Sequence, residues 1–314
     1  MSDSPSHRAA ALVLELESRL ERSHPGLLDE FPPQQYIDEL DASQTYGGYG
    51  KVPVAVGESC ARIAEAAGLD TLDQYHRLIL STLIAAFDHR RQAERLPESI
   101  VSQCAIEFHR ILSQFETTKP RFYLHGNDLF AKDLAICRGK LLPCGAELVD
   151  VLSGVPRRLA LTGGVVQMLQ VAWFFSTRLR GFRPLYEMHL DPRSLGQFTP
   201  RGWDSCYLRI ADVLELDSRI RGVFGSSWWF DPEAERITPS IGFLRQRPLG
   251  GGARIFRVGP DEAAVRNAIK FSKVRKELYE QGIYAPSNYL MVWARDDLLR
   301  WAREMRQQGL DLDS

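Results

Sequence analysis

Apolar residues recur at helical spacing through much of the first 115 residues. In residues 70–92, for example, Leu72, Tyr75, Ile79 and Leu83 follow one another at intervals of three and four. Such spacing places the apolar side chains on one side of a helix and the polar ones on the other. The same pattern predicts four helices in this part of the chain, over residues 8–21, 57–67, 70–92 and 99–115.

From residue 119 onward the pattern changes to short apolar runs separated by glycine and proline, which is typical of strands between helices. The predicted strands are residues 185–190, 221–230, 237–244, 253–258 and 289–293, and the predicted helices are residues 165–179, 206–214, 261–280 and 296–307. Residues 165–175 are apolar enough to predict a buried helix. Together these elements indicate an α+β protein. We expect a helical domain over residues 1–118 and a mixed α/β domain, the catalytic one, over residues 119–314.

The composition is that of an ordinary globular protein, with 44% hydrophobic and 25% charged residues in a chain of 314. It excludes collagen-like, low-complexity and largely disordered chains. Residues 1–7 lack the features of a secretory signal, and no apolar run approaches the ~20 residues that span a bilayer. The five cysteines form no Cys-x-x-Cys pair, which argues against a disulfide framework or a zinc knuckle. These features predict a cytoplasmic protein with reduced thiols and no membrane partner.

The formal net charge of −1 hides two halves of opposite sign. Residues 1–150 hold 15 Lys and Arg against 22 Asp and Glu, a net −7, whereas residues 151–314 hold 24 against 18, a net +6. The near-neutral total gives no reason to expect nucleic acid as a partner. The arginine-rich second half suits a small ligand that carries phosphate or carboxylate groups. Attraction between two oppositely charged halves explains the same numbers equally well.

Polar and apolar residues alternate through residues 185–191. In a strand this alternation places Glu187, His189 and Asp191 on one face, away from the core. Two carboxylates beside an imidazole can raise its pKa, set its tautomer or bind a metal ion. Glu187 and His189 are therefore candidate catalytic bases. The alternative is an ordinary half-exposed strand whose polar face meets water.

An unusual combination of glycine, serine and tryptophan follows in residues 222–232. Serine hydroxyls beside large aromatic faces are typical of small-molecule pockets, which combine apolar walls with a few fixed polar groups. Ser226, Ser227, Trp228 and Asp231 are therefore candidate substrate-binding residues. The segment lacks the Gly-x-Ser-x-Gly of a hydrolase nucleophile elbow. In the structural alternative, a tryptophan packs in the core and the serines cap a turn.

A run rich in arginine and glycine follows the predicted strand 237–244. Consecutive glycines let backbone N–H groups approach an anion, and nearby guanidinium groups add positive charge. This places Arg245, Arg247, Gly250, Gly251 and Gly252 in a candidate phosphate-binding loop. A plain glycine hairpin between two strands is the alternative.

The spacing Arg247-x-x-Gly250-x-Gly252 resembles the pyrophosphate loop of GCN5-related N-acetyltransferases, the GNAT superfamily. The resemblance covers residues 221–306, where the predicted order of a helix, a strand and a last helix after the loop is also similar. It implies an acyl-CoA N-acyltransferase fold in which the loop binds the pyrophosphate of coenzyme A. The family's loop runs straight into a helix, whereas residues 253–258 here are predicted to form a strand. The resemblance also implies a tyrosine that protonates the departing thiolate, and Tyr284 is the nearest match in position.

These observations favour an enzyme that moves an acyl group from a CoA or carrier-protein thioester to a small-molecule amine. Glu187 or His189 would be the base, Tyr284 the acid, and acyl-CoA the co-substrate, with no metal ion. A different enzyme of small-molecule metabolism that uses the Glu187, His189 and Asp191 face, with or without a metal, is one alternative. A non-catalytic protein that binds a ligand or a partner is another.

Three further histidines lie at positions 76, 89 and 125. His76 and His89 are expected on exposed helix faces near arginines. His125 is expected in a turn, from which it could join His189 and a carboxylate in a metal site.

Overall fold

The computed structural model describes residues 4–42 and 48–310 and divides the chain into two compact units, 1–143 and 144–314. The sequence placed this boundary at residue 118 instead. The helix that follows residue 118 belongs to the first unit because it packs against two helices of that unit. Among the described residues, no helix is long and apolar enough to cross a membrane.

The first unit is helical, as the sequence predicts. Its elements are α1 (Pro5–Ser23), α2 (Leu27–Glu30), α3 (Pro33–Ala42), α4 (Val54–Ala67), α5 (Leu69–Ala85), α6 (Phe87–Glu94), α7 (Glu98–Gln114), α8 (Asp128–Cys137) and the short strand β1 (Leu141–Pro143). Helix α5 is the centre of the unit and packs against α1, α3, α4 and α8. The single helix predicted over residues 70–92 is in fact two, α5 and α6. Phe87 begins the second helix and packs edge-on against Phe108 of α7, with ring centroids 4.8 Å apart.

The second unit is a mixed sheet with helices on both faces, which confirms the α+β class. Its strands are β2 (Glu147–Ser153), β3 (Leu185–Leu190), β4 (Gly222–Ser227), β5 (Arg254–Pro260) and β6 (Ser287–Ala294). They are neighbours in the order β2-β3-β4-β6-β5. Strands β3 and β4 are parallel, while the other neighbouring pairs are antiparallel. A parallel pair needs a crossover connection, and here the crossover contains a helix of 17 residues.

The helices of the second unit are α9 (Gly164–Thr177), α10 (Pro200–Leu216), α11 (Pro232–Ile237), α12 (Phe243–Gly250), α13 (Glu262–Lys270), α14 (Lys273–Glu280) and α15 (Arg295–Gln307). Helix α9 covers one face of the sheet, where Phe174 and Phe175 pack in a cluster with Phe224 of β4. Helices α10 and α15 contribute to the other face. There the Tyr207 ring of α10 lies 5.1 Å, centroid to centroid, from Trp293 of β6.

The expectations for residues 237–244 and 165–175 are wrong, and the single helix predicted over residues 261–280 is two, α13 and α14. Residues 237–244 are not a strand: they lie in the end of α11, a short 3-10 turn and the start of α12. The apolar positions 237, 241, 244 and 248 follow helical spacing, which the sequence reading missed. Residues 165–175 are helical but not buried throughout, since Val166 and Leu169 of α9 are 70% and 62% exposed. One face of α9 packs on the sheet and the other faces solvent.

Candidate functional site

The parallel strands β3 and β4 separate before either of them ends. Their paired residues run from Tyr186 and Val223 to Met188 and Gly225. Beyond this point β3 continues to pair with β2 as far as Leu190, and β4 continues to pair with β6 as far as Ser227. Residues 189–190 of β3 and 226–227 of β4 therefore form a fork, which we call the strand fork. The carboxyl ends of parallel strands, where neighbouring strands part, are a common place for ligands in α/β sheets.

Glu187 and His189 lie on strand β3, as the alternation predicts. The structure adds that this part of β3 is at the strand fork. The Ser153 hydroxyl of β2 donates a hydrogen bond to Glu187 Oε2 at 2.6 Å. His189 Nε2 lies 3.9 Å from the same oxygen, close enough for an ion pair when the imidazole is protonated. The side chains of Glu187 and His189 are 27% and 22% exposed, so both reach solvent from a largely buried position.

Burial is the main influence on the Glu187 carboxyl, and it raises the pKa above its ordinary value. The hydrogen bond from Ser153 lowers the pKa, and the charge of Asp150 on β2 raises it. The net effect is upward. A carboxyl with a raised pKa is a stronger base than an ordinary surface carboxylate, which is the property that general-base catalysis needs.

Asp191 is a residue of the turn that follows β3. Strand β3 ends at Leu190, and Asp191 caps the 3-10 turn that follows, where its carboxylate accepts from the backbone N–H of Arg193. The Arg193 side chain lies against both carboxylate oxygens, at 2.7 Å from Nη2 to Oδ2. The ion pair with Arg193 and the cap on the 3-10 turn give Asp191 a structural role in this turn. Among the described residues, the ligand atoms that lie close enough to share a metal ion belong to a different group, Cys60, His76 and His125.

Ser226 and Ser227 form the β4 side of the fork. Glu187 and Phe224 are direct partners in the parallel register, so they share a face of the sheet, and Ser226 follows on that same face. Ser226 is exposed, whereas Ser227 is buried on the opposite face. The predicted substrate-binding hydroxyl of Ser226 and the predicted base Glu187 therefore lie on one face at the fork, which the sequence could not show.

Trp228 and Asp231 come directly after β4. The Arg275 guanidinium of α14 stacks over the Trp228 ring, 4.5 Å from its centroid. Asp231 caps α11 by accepting from the backbone N–H of Glu233, and its second oxygen accepts from the N–H of Ser287 at 3.3 Å. These bonds give Asp231 a structural role, while its role in substrate binding stays a prediction.

Tyr284, the predicted acid, lies in the segment between α14 and β6. It is buried, and burial is the main cause that raises its pKa, with the Asp231 charge adding to the effect. Arg275 lowers the pKa by a smaller amount. The Tyr284 hydroxyl has no hydrogen-bond partner among the described residues. The phenol therefore keeps its proton at neutral pH, as an acid must.

The strand predicted before the phosphate loop does not form. Arg245 and Arg247 of the predicted loop lie in helix α12 instead. Arg247 pairs with Asp204 of α10 through two contacts, Nε to Oδ1 at 2.6 Å and Nη2 to Oδ2 at 2.7 Å. Arg245 pairs with Glu235 at 3.3 Å. Both guanidinium groups therefore neutralise carboxylates of the same unit.

The three glycines end this helix, in a hydrogen-bond pattern known as the Schellman motif. The N–H of Ala253 donates to the carbonyl of Pro248, and that of Gly252 donates to Leu249. Gly252 has a φ of +99°, the left-handed conformation that favours glycine at this position. Helix C-termini present carbonyl oxygens with partial negative charge, which disfavours a phosphate. The strand-and-loop arrangement that the resemblance requires is therefore not what residues 237–252 form.

The sequence reading missed a second strand–turn–helix segment, which runs from β3 into α10. It contains Arg193-x-x-Gly196, and the Thr199 side chain caps α10 by accepting from the N–H of Gly202. Arg201 lies in the first turn of α10 and is exposed. Helix N-termini attract anions because their backbone N–H groups carry partial positive charge. The Arg-x-x-Gly spacing was the signal that could have found this segment.

A group of potential metal ligands lies in the first unit. Cys60, His76 and His125 have ligand atoms within 4.8 Å of one another. His76 is fully buried rather than exposed, which corrects the expectation, whereas His89 is exposed as expected. Burial lowers the pKa of His76 to about 3 and that of His125 to about 4, and raises the pKa of Cys60 to about 11. The residues near His125 are thus Cys60 and His76, while His189 belongs to the second unit.

Comparisons with known proteins add no relative. No family model matches the chain, and searches of curated proteins and of solved structures find no match either.

Proposed function

We propose that the second unit transfers an acyl group from a CoA or carrier-protein thioester to a small-molecule amine. The observation that carries the proposal is the strand fork, with the carboxylate of Glu187 beside it. A gap between two strands suits an extended ligand, because extended chains add to strand edges through main-chain hydrogen bonds. The pantetheine arm of a thioester is such a ligand, with two amide groups along its length.

In this scheme Glu187 is the general base. Its carboxylate takes a proton from the amine, directly or through one water, while the nitrogen attacks the thioester carbonyl. The tetrahedral intermediate then collapses, the C–S bond breaks, and the thiolate takes a proton from an acid. The products are an amide and a free thiol. Tyr284, which the GNAT resemblance suggests as the acid, has its proton in place at neutral pH.

The first turn of α10 is our proposed site for the phosphates of the co-substrate. Its support is the strand–turn–helix order from β3 into α10, which matches the strand, pyrophosphate loop and helix that the GNAT resemblance implies. The partial positive charge of the helix N-terminus and the exposed Arg201 both favour an anion. The site is joined to the end of β3 by residues 191–199, and β3 forms one side of the strand fork.

The test is titration of the protein with acetyl-CoA and longer acyl-CoAs, followed by an assay of thiol release with a panel of amines. We expect saturable binding of CoA thioesters and amine-dependent release of free CoA. Lack of binding to any CoA or carrier-protein thioester would overturn the proposal. Binding without turnover, unaffected by Glu187→Gln, would favour a non-catalytic ligand-binding protein instead.

A further inference from the structure

The first unit contains four potential ligand atoms that the proposed acyl transfer does not use. They are Cys60 Sγ, His76 Nε2, His125 Nε2 and Tyr36 Oη. Tyr36 Oη lies 3.0 Å from His76 Nε2 and 2.7 Å from His125 Nε2, while Cys60 Sγ lies 3.5 Å from His76 Nε2. Cys60, His76 and Tyr36 are buried and His125 is partly exposed, so the group lies inside the unit with one side near solvent.

The four residues come from four separate segments. Tyr36 lies on α3, Cys60 on α4 and His76 on α5, and His125 precedes α8. Their positions span 89 residues of sequence, so folding alone brings them together. Burying a thiol, a phenol and two imidazoles against one another is costly unless each polar atom has a partner.

One of these distances matches the edge of a tetrahedron of ligands around a zinc ion. With Zn–S near 2.3 Å and Zn–N near 2.0–2.1 Å, tetrahedral angles give a sulfur–nitrogen edge of about 3.5–3.6 Å. The edge from Cys60 to His76 measures 3.5 Å. The edges from Tyr36 Oη to the two histidines are shorter than the ~3.3 Å expected for oxygen and nitrogen ligands, because they are hydrogen bonds, while its edge to Cys60 Sγ is 3.8 Å. Tyr36 therefore has to move outward slightly when an ion enters.

His76 is also oriented as metal-binding histidines usually are. Its Nδ1 donates a hydrogen bond to the backbone carbonyl of Tyr123 at 2.5 Å. This bond fixes the tautomer and leaves the Nε2 lone pair pointing toward Cys60 and Tyr36. Metal-ligating histidines almost always donate their other ring N–H to a carbonyl or carboxylate in this way.

We propose that the first unit binds one Zn²⁺ ion through Cys60, His76 and His125, with the Tyr36 oxygen at the fourth corner. A mixture of one thiolate and two imidazoles is a ligand set typical of zinc. Cys60 binds as the thiolate, so its thiol proton leaves when the ion enters. With all four corners filled by protein atoms, the site is structural. The bound ion cross-links four segments, which are α3, α4, α5 and the segment before α8.

The experiment measures metal content and spectra of the full chain, purified without a histidine tag. After incubation with Zn²⁺ and dialysis, we expect one zinc per chain by mass spectrometry. Cobalt in place of zinc should give the intense visible bands of tetrahedral Co²⁺ and a thiolate charge-transfer band. Cys60→Ser should remove the charge-transfer band, whereas Cys104→Ser, which alters a buried cysteine of α7 in the same unit, should leave it unchanged.

The wild-type chain itself can overturn the proposal, so no variant has to fold for the test to decide. If dialysis removes the zinc from the wild-type chain and cobalt gives no tetrahedral spectrum, the cluster is a hydrogen-bond network only. A thermal midpoint that a chelator does not lower in the zinc-treated chain would overturn the structural role.

Discussion

The hydroxyl of Ser153 on β2 donates a 2.6 Å hydrogen bond to Glu187 on β3. This bond stabilises the charged form of the carboxylate and opposes the burial that raises its pKa. Ser153→Ala should therefore raise the pKa of Glu187 further. In an acyl-transfer assay, the acid limb of the rate–pH profile should move to higher pH. Ser176→Ala on the exposed face of α9 is the control and should leave the limb in place. An unchanged limb in Ser153→Ala would contradict the assignment of Glu187 as the base.

Glu187→Gln should lower activity and raise stability at the same time. Loss of a general base costs about 10²–10⁴-fold in kcat, and we expect that loss with little change in thioester affinity. In the folded state the pKa of Glu187 is raised. At pH values between the ordinary carboxyl pKa and this raised pKa, the folded state therefore binds more protons than the unfolded state. Stability therefore falls as pH rises through that window.

Gln cannot ionise, so the variant avoids this loss. Urea unfolding at several pH values should show a stability gain of Glu187→Gln over wild type that grows as pH rises and then levels off. A gain that is the same at every pH, or a loss at neutral pH, would show that the buried charge is not what destabilises the wild-type chain.

The sequence was most informative where a pattern is local. The alternation through residues 185–190 gave β3 with the correct bounds and placed Glu187 and His189 together on one face. That face does not point away from the core as predicted, because Phe224, the register partner of Glu187, packs in the cluster that α9 covers. The strand fork could not be predicted, because it depends on which strands are neighbours and where their pairing stops. The prediction for residues 237–244 was wrong because the same apolar run fits a short strand or a helix. The burial of Leu244 and Pro248, four residues apart on one face of α12, distinguishes the helix from the strand.

Clusters assembled from distant segments are the second kind of feature that the sequence could not predict. Cys60, His76 and His125 follow no motif spacing. The burial of His76 did have a local signal, since His76 lies four residues after Leu72 and three before Ile79, on the apolar face of the predicted helix. The long helix predicted over residues 261–280 is divided because the Ser272 hydroxyl accepts from the N–H of Arg275 and begins a new helix. A serine inside an amphipathic run is a weak signal, since serine also occurs within helices.

Two neighbouring glycines at the end of α12 should respond in opposite ways to alanine. A Cβ at Gly251 would lie 2.1 Å from the Trp293 ring, whose Nε1 donates to the Gly251 carbonyl, so Gly251→Ala should cost about 1–3 kcal/mol of unfolding free energy. A Cβ at Gly250 meets nothing within 4 Å and the residue is helical, so Gly250→Ala should gain roughly 0.5–1 kcal/mol.

Chemical denaturation of both variants measures these changes, and thioester titration of Gly250→Ala adds a second reading. Unchanged affinity is expected if the glycines only end the helix. A marked loss of affinity in this stable variant would restore the phosphate-loop interpretation of Gly250 and Gly252.

Arg201→Ala and Arg247→Ala should separate co-substrate binding from structural support. Arg247→Ala leaves Asp204, whose side chain is only 6% exposed, without its cation, at a cost of about 1–3 kcal/mol in unfolding free energy. Asp204→Asn combined with Arg247→Ala should recover part of this loss, because no buried charge is then left unpaired. Neither change should alter the KM for the thioester while the chain stays folded.

Arg201→Ala should raise the KM for a CoA thioester several-fold with kcat and unfolding free energy unchanged, because an exposed side chain that contacts phosphate contributes to binding alone. Arg303→Ala, which removes an exposed arginine of α15, is the matched control and should leave KM at the wild-type value. Repeating the measurement with a truncated acyl-pantetheine that lacks phosphates should abolish the difference between Arg201→Ala and wild type. A KM effect that persists with the truncated donor, or one found in Arg247→Ala instead, would exclude the first turn of α10 as the phosphate site.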